Sequence, residues 1–131
     1  MRVLIDCDVL LDVVLKREPH FKASAAVLDW AEKNPGHGAL AWHTIANLSY
    51  LGQSNALPMI KDLSRFLEVA KTDNASLYFA LQLKLSDFED AMQVAAAKAF
   101  SAQVICTRNL KHYRASPIRA LSPADLLKLF T

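Results

Sequence analysis

Carboxylate side chains occur in two short stretches of this sequence where their spacing could support chemistry. Asp6 and Asp8 follow an apolar run near the N-terminus, and Asp87 and Asp90 lie about one helical turn apart. Carboxylates that share a crevice repel each other unless they are protonated or bridged by a cation. Oxygen ligands suit a hard divalent ion such as Mg²⁺ or Mn²⁺, which polarises phosphoryl oxygens and activates water. If the fold brings these acids together, they predict metal-dependent hydrolysis of a phosphodiester.

The four acids are not equally strong candidates. Asp6 ends an apolar strand, where an unpaired charge is costly, and Asp90 precedes apolar residues on a helix whose pattern is that of a buried one. Asp87 has an alternative interpretation as a helix cap or first-turn acid. For Asp8 we favour a hydrogen bond to local backbone at the turn from strand to helix.

Other kinds of reactive site find no support in the sequence. The four histidines are scattered, the three glycines form no phosphate-binding loop, and no nucleophile elbow is present. Cys7 and Cys106 both lie in apolar runs, which predicts buried, reduced thiols in a cytosolic protein.

The composition predicts one globular domain over residues 1–131. The chain is 53% hydrophobic and 21% charged, and this length can bury a core without disulfides. A net charge of +2 does not by itself demand a nucleic-acid partner. Apolar runs are too short to cross a membrane, and Asp6 interrupts any signal-peptide core, so we expect a cytoplasmic protein with no membrane association.

Short apolar runs alternate with helical patterns along the chain. Strands are predicted at Arg2–Cys7, Gly38–Trp42, Gln103–Thr107 and Pro117–Leu121. Helices are predicted within Val9–Leu15, over Phe21–Lys33, from a cap at Thr44 to about Gly52, over Ala56–Ala70 and Ala75–Lys84, from a capping box at Ser86 to about Phe100, and after a cap at Ser122. This alternation predicts an α/β fold with a mostly parallel sheet.

A parallel sheet would bring the candidate residues to one edge, because ligands gather beyond the carboxyl ends of parallel strands. The first strand ends at Asp6, and the late strand ends at Thr107, Arg108 and Asn109. The helix that carries Asp87 and Asp90 would add its acids to the same crevice.

The chain resembles the PIN-domain family, including VapC-type toxins, through an ordered set of segments. The opening residues 3–12 are similar to the family's first strand and turn, and residues 17–21 fit one subgroup. Ser86-Asp87-Phe88-Glu89-Asp90-Ala91 is similar to its central acidic block. Residues 107–113, Ser116-Pro117 and residues 121–127 resemble its late strand, loop and ending.

The resemblance implies a three-layer sandwich with the sheet between helices, and a Mg²⁺- or Mn²⁺-dependent endoribonuclease, often the toxin of a toxin–antitoxin pair. Asp6 and Asp90 map to metal-binding, catalytic acids, and Asp87 is a further metal ligand beside them. Arg108, Lys111 and Arg114 are expected to steer the RNA backbone. The expected partners are RNA, an antitoxin protein and a second copy of the chain.

Two departures from the family pattern leave a second hypothesis open. The family's second acid falls at Asn47 and its late acid at Asn109, with His112 where a further acid often lies. An amide offers a carbonyl oxygen but no charge, so Asn47, Thr107 and Asn109 are expected to be secondary contacts. The alternative to a nuclease is therefore a catalytically weakened module that binds RNA or a protein in the same crevice.

Overall fold

A five-stranded parallel sheet forms the centre of the molecule. The computed structural model describes residues 1–130, so that Thr131, the last residue of the predicted domain, lies outside it. The strands are β1 (Val3–Ile5), β2 (Gly38–Leu40), β3 (Glu68–Val69), β4 (Val104–Cys106) and β5 (Arg119–Leu121). Their order across the sheet is β3-β2-β1-β4-β5, and each neighbouring pair is parallel. The predicted mostly parallel α/β sheet is confirmed.

Seven α-helices lie in the described part of the chain. They are α1 (Cys7–Val14), α2 (Phe21–Lys33), α3 (Trp42–Leu51), α4 (Ala56–Leu63), α5 (Asn74–Gln82), α6 (Phe88–Phe100) and α7 (Pro123–Lys128). Two single turns of 3₁₀-helix, Gln53–Asn55 and Leu110–Tyr113, connect them. Within residues 1–130, none of these helices combines the length and apolar character needed to cross a bilayer.

The sheet divides the core into two layers, because successive side chains of a strand point to opposite faces. Val3 and Ile5 pack with residues of α1, α2, α4 and α7 on one face. Leu4 packs with residues of α6 on the other. Helices therefore cover both faces, which confirms the three-layer arrangement.

Several predicted boundaries are confirmed. Phe21–Lys33 is helical throughout, and Ser122 caps α7 by accepting a hydrogen bond from the Asp125 N–H, with Pro123 at the first helical position. Cys7 and Cys106 are both buried and free. The first two strands are shorter than predicted, because Cys7 and Trp42 already begin the helices that follow.

The predicted helix Ala56–Ala70 is wrong in its second half. Helix α4 ends at Leu63, and Glu68 and Val69 form β3, where they pair with Ala39 and Leu40 of β2. The strand has only two residues and both are exposed, so it lacks the buried apolar run that marks the other strands. Backbone pairing with β2 outweighs the helical pattern there.

Two predicted caps are also wrong. Helix α3 begins at Trp42, two residues before Thr44, and Thr44 is fully buried inside it. Asp87, rather than Ser86, caps α6, because its side chain accepts from the Glu89 N–H at 2.8 Å. Both errors come from polar residues that lie one or two positions from the true start of a helix.

Candidate metal centre

The carboxylate of Asp6 lies at the carboxyl end of β1, where it also caps α1. It is 7% exposed and accepts four hydrogen bonds. Oδ1 accepts from the Cys7 N–H at 2.8 Å and from Gln93 Nε2 at 2.6 Å. Oδ2 accepts from Thr107 Oγ1 at 2.8 Å and from the Tyr113 hydroxyl at 3.2 Å. A buried carboxylate with four donors is well satisfied without further protein partners.

Tyr113 remains a hydrogen-bond donor to this carboxylate. Burial, followed by the negative charges of Asp6 and Asp90, holds the pKa of the Tyr113 hydroxyl far above its usual range. The phenol therefore stays protonated, and its hydroxyl lies between the two acids that the sequence singled out.

Asp8 lies beside Asp6 with one satisfied oxygen. Its Oδ2 accepts from the backbone N–H of Arg108 at 2.9 Å, across the boundary between β1 and β4, whereas its Oδ1 is buried without a hydrogen-bond partner. Burial, then the charge of Asp6, raises the pKa of Asp8 to about 6. The predicted bond to local backbone holds only in part: the Val9 N–H lowers this pKa, but the printed bond is to Arg108.

Asp90 approaches the same cluster from the first turn of α6. Its side chain is 14% exposed, and its Oδ2 has no hydrogen-bond partner, although His112 Nδ1 lies 3.3 Å away. Burial, then the charges of Asp87 and Asp6, raises the pKa of Asp90, while His112 and the Tyr113 hydroxyl lower it. Asp6, Asp90 and Tyr113 therefore form one electrostatically coupled group.

The cluster is rich in acceptors and poor in donors. Asp8 Oδ1, Asp90 Oδ2 and Gln93 Oε1 are all buried without a hydrogen-bond partner. Unpaired buried oxygens are costly, and a hard divalent cation is the partner that oxygen ligands suit. The donor chemistry thus fits Mg²⁺ or Mn²⁺. Across residues 1–130, however, no three His, Cys, Asp or Glu side chains are arranged to hold a metal ion, so the acids alone do not complete a ligand set.

Several of the predicted site residues make other contacts. Asp87 uses its carboxylate to cap α6, and the Asn47 amide donates to Glu89 Oε1 at 3.1 Å. Asn109 is exposed, and its backbone N–H donates to Thr107 Oγ1 at 3.0 Å. Their predicted roles around a metal ion stay predictions.

The three predicted RNA-binding side chains also differ from one another. Arg108 makes a bidentate pair with the fully buried Asp12, through Nε at 2.7 Å and Nη2 at 2.9 Å. That pair occupies much of its guanidinium. Lys111 and Arg114 are exposed along and just after the second 3₁₀ turn, where they are free of such a constraint in the geometry described.

Four residues of the cluster were not identified from the sequence. Gln93 and Tyr113 bind Asp6, Thr44 accepts from Gln93 Nε2 at 3.1 Å, and Glu89 carries a carboxylate next to Asn47. The one local signal was Gln93 itself, a polar residue one helical turn after Asp90 on an apolar face. Glu89 was interpreted only as part of a capping box, yet it supplies a charge where the family's second acid is replaced by an amide.

Solved structures with the same fold are toxin–antitoxin proteins. VapBC2 from Rickettsia felis, bound to a promoter DNA fragment, superposes with a TM-score of 0.72 at 15% identity, covering 93% of this chain and 98% of that one. A toxin–antitoxin complex from Klebsiella pneumoniae gives 0.70 at 17% identity, covering 92% and 97%. VapC20 from Mycobacterium tuberculosis, described as a toxin that cleaves the sarcin–ricin loop, gives 0.61 at 14% identity, covering 89% and 98%. At these identities the likeness shows the fold.

Comparison with curated proteins finds no match for this sequence. The profile of the PIN domain, in contrast, matches residues 2–111. That range includes β1 to β4, the acids Asp6, Asp8 and Asp90, and Thr107 at the end of β4. The chain belongs to the PIN-domain family.

Proposed function

We propose that this protein is a Mg²⁺- or Mn²⁺-dependent endoribonuclease that hydrolyses RNA phosphodiester bonds. The observation that carries the proposal is the cluster of Asp6, Asp8 and Asp90 beyond β1 and β4, with three buried oxygens that lack donors. A bound divalent ion would supply Lewis-acid polarisation of the phosphodiester and activation of water.

The chain's own residues would hold and orient the reacting groups. Asp6 and Asp90 are the proposed metal ligands and catalytic acids, with Asp87 as an additional ligand near the opening of the crevice. Thr107 and Tyr113 keep Asp6 in place through their hydroxyl groups. Asn47 and Asn109 would make secondary contacts through their amide oxygens.

The RNA backbone would be held mainly by cationic side chains on the loop after β4. Lys111 and Arg114 are exposed there, and Arg108 adds charge close to Asp8. Contacts of this kind give affinity that falls with added salt and is independent of sequence.

A role as the toxin of a toxin–antitoxin pair is the corresponding biological proposal. It is supported by the PIN-domain family match and by the toxin–antitoxin complexes that share the fold. An antitoxin protein and a second copy of the chain are the proposed protein partners, and the cytoplasm is the proposed place of action. Co-expression with the protein encoded by a small neighbouring gene, followed by co-purification, tests the antitoxin partner.

The nuclease is tested by incubating the purified protein with total RNA in Mn²⁺, in Mg²⁺ and in EDTA. Internal fragments that appear with either metal and disappear in EDTA support an endoribonuclease. Adding excess Mn²⁺ back to the EDTA sample should restore cleavage. Fragments that persist unchanged in EDTA would contradict metal dependence.

One observation favours the alternative of a binding module without catalysis. Asp6 is already satisfied by four protein donors, and the family's other acids are replaced by Asn47 and Asn109. A metal ion would have to share Asp6 with these donors. RNA that binds in Mn²⁺ but stays intact would favour this alternative.

A further inference from the structure

A cavity of about 190 Å³ opens beside the acids, beyond the carboxyl ends of β2 and β3. Its walls come from the first turn of α3, the start of α5 and the middle of α6. At this size it is smaller than the roughly 300–1,000 Å³ pockets that hold drug-sized ligands, so it suits a single flat ring system. None of the functions described above uses it.

The walls of the cavity are mainly apolar, with an aromatic ring at its rim. Leu77, Ala80 and Met92 contribute apolar surface, and Trp42 is 69% exposed. An indole left this exposed gains little from folding, whereas exposed aromatic rings provide stacking surfaces for unpaired bases.

One polar group in the wall lacks a partner. His43 Nε2 is buried without a hydrogen bond, and burial lowers the pKa of His43 so that its ring is neutral. A neutral imidazole nitrogen can donate or accept a single hydrogen bond, according to tautomer. The other polar side chains at the mouth, Asp73 and Ser76, already satisfy each other in the capping box of α5.

The cavity adjoins the acid cluster directly. His43 precedes Thr44, which accepts from Gln93, and Gln93 in turn donates to Asp6. The charges of Glu89 and Asp6 both act on His43. Met92, in the cavity wall, lies between Asp90 and Gln93 along α6.

We propose that this cavity binds one unpaired nucleobase of the RNA, stacked on Trp42 and hydrogen-bonded to His43, next to the phosphodiester held at the acids. The inference rests on the proposed function and adds a determinant of substrate choice. It makes the protein selective for single-stranded or looped RNA, because a base inside a duplex cannot enter.

The test measures RNA binding without cleavage. A fluorescein-labelled single-stranded RNA is titrated in EDTA with wild type, Trp42→Ala, Trp42→Phe, His43→Ala and Tyr50→Ala. Tyr50 is the matched control, since it is an aromatic residue of the same helix, 87% exposed, that does not line the cavity. Trp42→Ala should bind about 5- to 150-fold more weakly, the range for loss of one base–aromatic stack, while Trp42→Phe keeps most of the affinity. His43→Ala should weaken binding, and Tyr50→Ala should match wild type.

Equal affinity of wild type and Trp42→Ala, or no RNA binding by wild type, overturns the inference. A Trp42→Ala variant that changes only the oligomeric state in size-exclusion chromatography also overturns it, and assigns the surface to a protein contact. Failure of the nuclease is a separate result. Trp42-dependent binding without cleavage in Mn²⁺ leaves the base site standing, and cleavage without any Trp42 dependence removes only the base site.

Discussion

Asp6 and Asp90 face the same crevice but differ in how well the protein satisfies them. Asp6 accepts four hydrogen bonds, whereas Asp90 has a buried oxygen with none. An ionised carboxylate without donors and near other acids is destabilising in the absence of a cation. The two acids should therefore respond differently to replacement by an amide.

Replacing Asp90 by Asn should leave the metal-free protein as stable as wild type or make it more stable, because it removes a charge that burial, Asp87 and Asp6 disfavour. The same change should weaken Mn²⁺ binding. Urea denaturation in EDTA and calorimetric titration with Mn²⁺ measure the two effects. A loss of more than about 1 kcal/mol in EDTA, the size of one net hydrogen bond, would instead mark Asp90 as a structural partner, for example of His112.

At the scale of the elements, buried Asp12 ties together three parts of the chain. Its carboxylate on α1 accepts from Arg17 Nε at 3.0 Å, from Ser24 Oγ of α2 at 3.0 Å and from both Arg108 nitrogens. This network fixes the loop after β4 against α1 and α2. It thereby positions the Arg108 N–H that binds Asp8.

Asp12→Ala should destabilise the protein by about 3 kcal/mol, at the low end for breaking a buried ion pair, because Arg17 and Arg108 can still reach water. Asp62→Ala is the control, since the Asp62–Arg65 pair is exposed and should contribute roughly 0–1 kcal/mol. Urea denaturation of both variants gives the comparison. Similar small losses for the two would mean that the network does not stabilise the fold.

The start of α6 provides a second test at this scale. Asp87→Ala should cost about 1 kcal/mol through loss of the cap on the Glu89 N–H, whereas Ser86→Ala should be close to neutral. Thermal denaturation in EDTA separates the two variants. The opposite order would restore Ser86 as the cap and leave the Asp87 carboxylate available to a metal ion.

The elements that could be predicted are those whose signals are local. Helix α2 and the cap at Ser122 follow from neighbouring residues, as does the apolar run of β1. Strand β3 gave no such signal, since its two residues are exposed and its existence depends on pairing with β2. The cap of α6 was misplaced by one residue, because Ser86 and Asp87 both suit that position.

At the scale of the whole molecule, strand order explains where the site lies. The chain builds β1, β2 and β3 outward to one side and then returns to place β4 and β5 on the other side of β1. Such a reversal leaves a crevice between β1 and β4, and Asp6 and Thr107 follow these two strands. The sequence could place the acids at this edge because the residues that end strands are local features.

The partners of those acids could not be predicted, because they come from distant parts of the chain. Gln93 and Tyr113 reach Asp6 from 87 and 107 residues away, and Arg108 reaches Asp8 from 100 residues away. Pairings over such separations depend on the packing of α6 and of the loop after β4, which no local pattern encodes.

The most direct test of the central claim is the rate at which labelled RNA is cleaved across a Mn²⁺ titration by wild type, Asp90→Asn and Asp125→Asn. Asp90 is preferred to Asp6 because its replacement should not disturb the fold. Asp125 is an exposed acid in the first turn of α7 and serves as the control. We predict cleavage by wild type and Asp125→Asn that rises with Mn²⁺, and a loss of about 100-fold or more in Asp90→Asn. Cleavage by Asp90→Asn at the wild-type rate, or none by folded wild type at any Mn²⁺ concentration, would contradict the claim.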